Sequence, residues 1–328
     1  SYMGYKLGGR NTIGSACVIS TLVDSRGRRW VGTDKDGLYL FDDKNHFIRQ
    51  LKDGFPSTVM TLAEDHSGRI WIGTYGEGGG WLDPLTLQYH HLNYPEDEHL
   101  IIMDIVTDAQ GRVWMATLRH GLLLLRPGET EIVTCEMSEN ADSDRKINSI
   151  ANNYASQVSL SPDGRRIYVS TSMGLCCLDI ASGSWTKTFG SNCPNYGVPV
   201  RAAKEFNGRL WYGTNEGLYC YDLAKKTTKH YTTADGLCDN GVSTIEQDHQ
   251  GKLWIGTDHG LSCFDPATEL SKNYFADDGL QSNEFSDGAS SIASDGTILL
   301  GGTGGVTWFN PQDILQSEWK SSVQLTSF

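Results

Sequence analysis

"GRIWIGTYGEGGGWLDP", residues 68–84, sets a tryptophan and a Gly-Thr pair ahead of a run of glycines. Two readings compete for it. A glycine loop that cradles phosphate needs a strand, then G-x-x-x-x-G-K-[ST], then a helix. Here no lysine follows the glycines, and no helical pattern succeeds them. The other reading is a turn between two strands, and the rest of the chain favours it. "GRRWVGTDKDGLYLFD" stands at 27–42, "GRVWMATLRHGLLLLR" at 111–126, "GRLWYGTNEGLYCYD" at 208–222 and "GKLWIGTDHGLSCFD" at 251–265. The stretch is one copy of a repeat, and a fixed period of this length marks a repeat architecture.

The tryptophans of W-x-G-T, or W-x-A-T in one copy, are Trp30, Trp71, Trp114, Trp211 and Trp254. Two further copies diverge. "RRIYVSTSMGLCCLD" (165–179) has Tyr168 in the tryptophan position, and "GTILLGGTGGVTWFN" (296–310) has Leu299. The seven anchors lie 41, 43, 54, 43, 43 and 45 residues apart. The long spacing marks an insertion in the polar stretch at 138–156.

Each copy reads as four short strands. The first ends at an acidic residue and passes into a D-x-x-G turn, at 24–27, 65–68, 108–111 and 248–251, with Glu205 leading the equivalent at 205–208. The second strand carries the anchor. A tight turn then leads to Gly-Leu and a third strand, and a more polar fourth strand follows, such as "FIRQL" or "TKHYT". Short β-branched and aromatic runs between turn residues signal antiparallel sheet. No segment sustains a 3.6-residue period, so little helix is expected.

A lone four-stranded sheet with two apolar faces leaves both exposed. Seven of them set radially bury each face against a neighbour, which is an all-β, seven-bladed β-propeller over residues 1–311. Residues 5–7 read as the missing fourth strand of blade seven, so the N-terminal strand is expected to close the ring in the last blade and remove an open edge. Residues 312–328 read as a linker and the start of a following module.

Composition narrows the function classes. The formal net charge is −13 and no stripe of Lys or Arg occurs, so neither nucleic acid nor an anionic membrane surface is expected as a partner. The longest apolar runs are a few residues, as at 122–125, so neither a transmembrane helix nor a signal peptide is expected in this stretch of chain. With Ser1 in first place, that leaves the compartment open.

The pattern G-[RK]-[IVL]-W-x-G-T-x-x-G-L, with "DGL" ahead of the next inner strand at 235–237 and 278–280, resembles the two-component regulator propeller repeat over nearly the whole chain. The ending "GGVTWFNPQDI" and "VQLTSF" resembles the join between a last blade and the small β-sandwich that follows it in that family. The resemblance implies the periplasmic sensor region of a hybrid histidine kinase of gut bacteria, many of which sense oligosaccharides. This chain would be a non-catalytic fragment of such a sensor. Its expected partners are an oligosaccharide, an adjacent propeller or β-sandwich domain, and a second copy in the full-length protein. Blade four (Tyr168), blade seven (Leu299 and Gly302) and Ala116 in blade three depart from the consensus.

Other chemistry is thinly signalled. Cys177, Cys220 and Cys263 share one third-strand position, filled by Leu40, Trp81, Leu124 and Trp308 elsewhere, so they read as packing residues. No C-x-x-C pair or zinc-type histidine spacing occurs. Asn140, Asp142 and Asp144 imitate a calcium loop, but Arg145 and Ala151 stand where its Gly and Glu belong. No G-x-S-x-G or H-E-x-x-H motif is present, and neither a catalytic residue, a cofactor nor a metal is assigned. A glycan-active lyase or glycosidase, or a pure protein-interaction platform, stays open as an alternative, since fold does not fix function.

The turns between second and third strands vary while their flanks repeat. With the outer loops of the same face they supply the candidate ligand residues: Lys35, Asp36, Tyr75, Glu77, Tyr94, Arg119, His120, Tyr196, Asn215, Glu216, Asp258 and His259. Arg119 and His120 are the foremost polar candidates and Tyr75 the foremost stacking candidate. Tyr94 and Tyr196 offer rings to a sugar or a partner domain.

Overall fold

Every anchor segment is the second strand of an antiparallel sheet whose strands follow one another in chain order. A computed structural model describes residues 17–135, 154–186 and 198–318. Within them stand six four-stranded sheets and a seventh of three strands, the blades of a seven-bladed propeller. The expected closing strand at 5–7, the insertion with its Asn140, Asp142 and Asp144, and Tyr196 lie outside the described residues.

The anchors sit between blades. Trp30, Trp71, Trp114, Trp211 and Trp254 are each 3% exposed or less. Each faces the same third-strand position: Trp30 opposite Leu40, Trp71 opposite Trp81, Tyr168 opposite Cys177, Trp211 opposite Cys220 and Trp254 opposite Cys263. The three cysteines are free thiols on this packing tier. Burial pushes Cys177 and Cys263 up to about 12 and Cys220 up to about 11, so they stay protonated and unreactive.

The D-x-x-G aspartate has a purpose beyond its turn. Asp24, Asp65 and Asp108 each accept the indole N–H of the blade's own tryptophan at 2.9 Å. The same oxygen takes the Nε of Arg28, Arg69 or Arg112, while the other accepts two backbone N–H groups of the turn. Each guanidinium lies 5.2–5.5 Å from the centre of its tryptophan ring. One carboxylate thus satisfies a buried indole and a turn together. Asp248 likewise accepts the Trp254 indole N–H and the backbone N–H groups of Gln250 and Lys252.

Blades four and five depart from this pattern, and the reading of Glu205 is corrected there. Blade five turns tightly at Asn207 (φ 51°) and Gly208 (φ 72°), a hairpin that suits Asn-Gly. Glu205 therefore lies in the strand, opposite Leu210. Its carboxylate accepts the Tyr168 hydroxyl of blade four at 2.5 Å and pairs with Arg166. The missing aspartate of blade four, where Ser161 stands, is replaced by an acid from the next blade.

The Gly-Thr pair explains the opening stretch. A Cβ on Gly32, Gly73, Gly213 or Gly301 would fall 2.3–2.7 Å from a side chain at the start of the next blade: Val59, Ile102, Val242 and Val18 respectively. The threonine hydroxyl then holds the following turn, donating to Gly37, Gly78, Gly121, Gly174, Gly217 and Gly260 carbonyls in blades one to six. Gly76 and Gly78 turn at φ 85° and 71°. The glycine run is a structural turn.

Polar side chains of the innermost strands also join neighbours around the axis. Ser20 donates to Val59 carbonyl, Thr61 to Asp104, and Asp104 accepts the Val158 N–H. Ser159 donates to Ala203 carbonyl, Lys204 pairs with Glu246, Ser290 donates to Glu246, and Thr21 meets Ser291. This lacing passes through every neighbouring pair of blades, including seven to one. There Gly301 meets Val18, and Phe41 lies edge-on to Trp308 at 5.6 Å.

Helix is scarce, as expected, but not absent. The two "DGL" segments form single 3-10 turns, Thr233–Asp235 and Ala276–Asp278, ending on left-handed Gly236 and Gly279. Pro311–Glu318 is an α-helix that buries Ile314 among Trp254, Leu261, Tyr274 and Leu280. The span at 312–328, read as a linker, therefore starts inside a helix docked on blades six and seven.

Candidate functional site

The connections between second and third strands, and those from a fourth strand to the next blade, share one face of the ring. The threonine caps fix the backbone of the turns and free the intervening side chains to vary. The candidate residues fall into separate groups on this face.

Blade one places Asp36 against Lys52 at 2.6 Å and leaves Lys35 exposed. Blade two presents Tyr75, 56% exposed, its backbone bridging to Ile101. Glu77 is also exposed, and its carbonyl meets His91. Glu216 repeats that contact with His230 in blade five. His259 of blade six lies 6.0 Å from Phe275.

In blade three, Arg119 and His120 both reach Asp97, each at 2.9 Å, and Arg119 also donates to the His99 carbonyl. The His120 bond, opposing burial, together with the His99 N–H and Arg119, holds the Asp97 carboxyl below its usual range. Tyr94 requires a correction. Its ring is 7% exposed, packed with Leu100, Ile102 and Leu123 and edge-on to His120 at 5.5 Å. It braces His120 from below and offers no open face to a sugar. Burial and the Glu96 bond push its hydroxyl up to about 12.

Asn215 and Asp258 are brought together by a residue that sequence reasoning missed. Arg201 lies just ahead of the inner strand of blade five, Ala202–Phe206. Its guanidinium donates to both Asp258 oxygens at 2.8 and 3.0 Å, to Asn215 Oδ1 at 3.1 Å, and to Asp287 at 2.7–2.8 Å. Burial opposes the charge, but two carboxylates outweigh it and hold the guanidinium firmly protonated. Burial also raises Asp287, against the pull of Arg201. Blades five, six and seven meet on this one side chain.

Asp287 reaches the mouth because the inner strand of blade seven, Phe285–Ile292, bulges between Phe285 and Ser290. The bulge extends across the ring, where a Cβ on Gly288 would strike the Gln157 side chain of blade four at 1.9 Å. Beneath lies an axial chamber of about 570 Å³, lined by the innermost strands and by Ser286, Asp287 and Gly288. The signal in sequence was slight: a lone Arg ahead of an inner strand, and an inner strand of eight residues where other blades have five or six.

Residues 53–76 and 236–259, each running from a "DG" turn through an anchor strand, match the family described as two component regulator propeller. Those two stretches are two-component regulator propeller repeats. A curated relative of the chain, histidine kinase P4 of Formosa agariphila, is 23% identical over 91% of the chain. The chain spans only 19% of that relative's length. Among solved structures, the propeller resembles the extracellular domain of the hybrid two component system BT3049 of B. thetaiotaomicron. The TM-score is 0.81 and the identity 19%, over 96% of this chain and 42% of that one. It also resembles virginiamycin B lyase of Staphylococcus aureus, at TM-score 0.68 and 12% identity over 90% and 94% of the two chains. At these identities both structural likenesses speak to fold.

Proposed function

We propose that the chain is a non-catalytic sensor propeller of a two-component signalling protein. It works outside the cytoplasm, in the periplasm, and takes an oligosaccharide or a neighbouring domain of the same protein on the face of the second-to-third-strand turns. One observation carries the reading: loops of three blades converge on Arg201, giving a fixed array of carboxylate, amide and guanidinium groups at the mouth of the ring. Such arrays suit hydroxyl-rich ligands or polar interface rims, and loops held by a rigid scaffold often carry function. Exposed Tyr75 adds an aromatic platform on the same face. The extracellular placement of similar two-component propellers supports the location.

The likeness to a lyase keeps an enzymatic reading testable. A thermal-shift screen of oligosaccharides tests binding, since a ligand at 100 times its Kd adds about 2.7 kcal/mol to stability. A hit is then repeated on Tyr75→Ala, Asn215→Ala and Arg119→Ala. Loss of the shift in at least one variant is expected. Full retention in all three, with the ligand located on the D-x-x-G face, refutes the assignment. Chromatography of the incubated glycan settles catalysis: new products reject a sensor without turnover.

A further inference from the structure

We propose that the axial chamber is itself a binding site, for a small organic molecule carrying an ammonium group, with Asp104 as its counter-ion. Asp104 is not among the residues of the ligand face described above, although Asp287 belongs to both the Arg201 array and the chamber wall.

The chamber's volume, about 570 Å³, lies within the range of small-molecule sites. Its walls are rigid, because the lacing bonds peg Ser20, Thr61 and Ser159 to neighbouring blades. Apolar surface comes from Met60 and Met103. Asp104 breaks the repeat. In the tier paired with the glycine of W-x-G-T, Ser20, Thr61, Gln157 and Thr244 stand on other inner strands, all neutral. Asp104 is paired with Ala116 in the same tier and carries a carboxylate.

That carboxylate accepts only neutral donors: Thr61 hydroxyl and the N–H groups of Ile105 and Val158. The cation whose field reaches it, Lys204, is bonded to Glu246. Burial pushes Asp104 up to about 6 against these bonds and against Lys204. A half-buried carboxylate with no bonded cation among the described residues gains most from a cationic ligand. Fixed hydroxyl and carbonyl groups around it suit a ligand with further polar substituents.

Three ring compounds of one size and different charge form the test: 4-aminocyclohexanol, cyclohexane-1,4-diol and 4-hydroxycyclohexanecarboxylate. Each is titrated into the protein by calorimetry and thermal shift at pH 7.5. The amine alone is expected to bind. Asp104→Thr, which installs the residue blade two already uses, is expected to abolish the heat and the shift. In the wild-type protein, which needs no variant, affinity for the amine should weaken by about tenfold for each pH unit below about 6, as Asp104 takes up its proton. Lys204, Glu205 and Asp287 also line the chamber; Lys204 is paired with Glu246, Glu205 with Arg166 and Asp287 with Arg201. Equal binding of amine and diol overturns the proposal, as do an unchanged affinity in a folded Asp104→Thr protein or a flat pH profile. A shift reproduced by potassium chloride of equal ionic strength, or no binding of the amine, also overturns it.

Discussion

A single oxygen of Asp108 holds an indole N–H and an arginine Nε, while its partner oxygen holds two backbone N–H groups. Asp108→Ala therefore strands a buried donor and frees a turn at once. The expected loss is about 2–4 kcal/mol, readable in urea denaturation. Two other aspartates respond to pH in opposite directions. At Asp65, burial raises the carboxyl, but bonds from Ser67, Trp71 and Arg69 prevail and hold it below 3.8. Its contribution is present above that value and is lost as pH falls through the folded value. Asp104 is raised, so the folded chain binds a proton that the unfolded chain has already released between pH 3.8 and about 6. Its contribution is complete below 3.8 and is lost as pH rises through 6. Relative to Asp104→Asn, the wild type should lose on the order of 1–2 kcal/mol between pH 4 and pH 7, water in the chamber reducing the full conversion. Parallel melts of the two proteins across that range measure it. A gap that does not change with pH contradicts the assignment of the proton to Asp104.

At the scale of the blade, the glycine of W-x-G-T sets how closely neighbours approach. Gly301→Val should destabilise the contact between blades seven and one by about 1–3 kcal/mol, because its Cβ already falls 2.6 Å from Val18. Gly128→Ala meets no atom within 4 Å and serves as comparison for a positive-φ turn glycine, its φ being 76°. Blade three shows what is tolerated, since Ala116 occupies the same place, fully buried. The blades were legible in sequence because the period, the anchor and the turn residues recur together. Glu205 misled because its acid occurs near the expected position but serves the Tyr168 of another blade. The helix at 311–318 escaped because eight residues give too little periodicity to read.

Across the whole ring, Arg201 joins elements far apart in the chain. Its bond to Asp258 spans 57 residues and that to Asp287 spans 86. No local pattern encodes such a meeting, which is why the turns were legible as a candidate face and their hub was not. Tyr94 was misplaced for a related reason: an aromatic in a loop looks exposed until the next blade covers it. Arg201→Met should loosen the bulge of blade seven while leaving most of the ring intact. Hydrogen exchange is expected to quicken at 285–290 and to stay unchanged in blades one and two. Faster exchange throughout would show that the guanidinium sustains the entire ring rather than its mouth.

Cys177, Cys220 and Cys263 occupy one equivalent place in three consecutive blades, each facing its blade's anchor. Nature has thereby supplied two shielded clocks and a third for comparison. Cys177 and Cys220 are buried and meet an alkylating reagent only when their blades open, so their labelling rates report that opening, while half-buried Cys263 gives the rate for a partly open place. Mass spectrometry of a labelling time course can read the three rates side by side. Equal rates at Cys177 and Cys220 describe a ring that opens as one body. Unequal rates at Cys177 and Cys220 describe blades that part singly, and rank blades four and five by how readily each gives way.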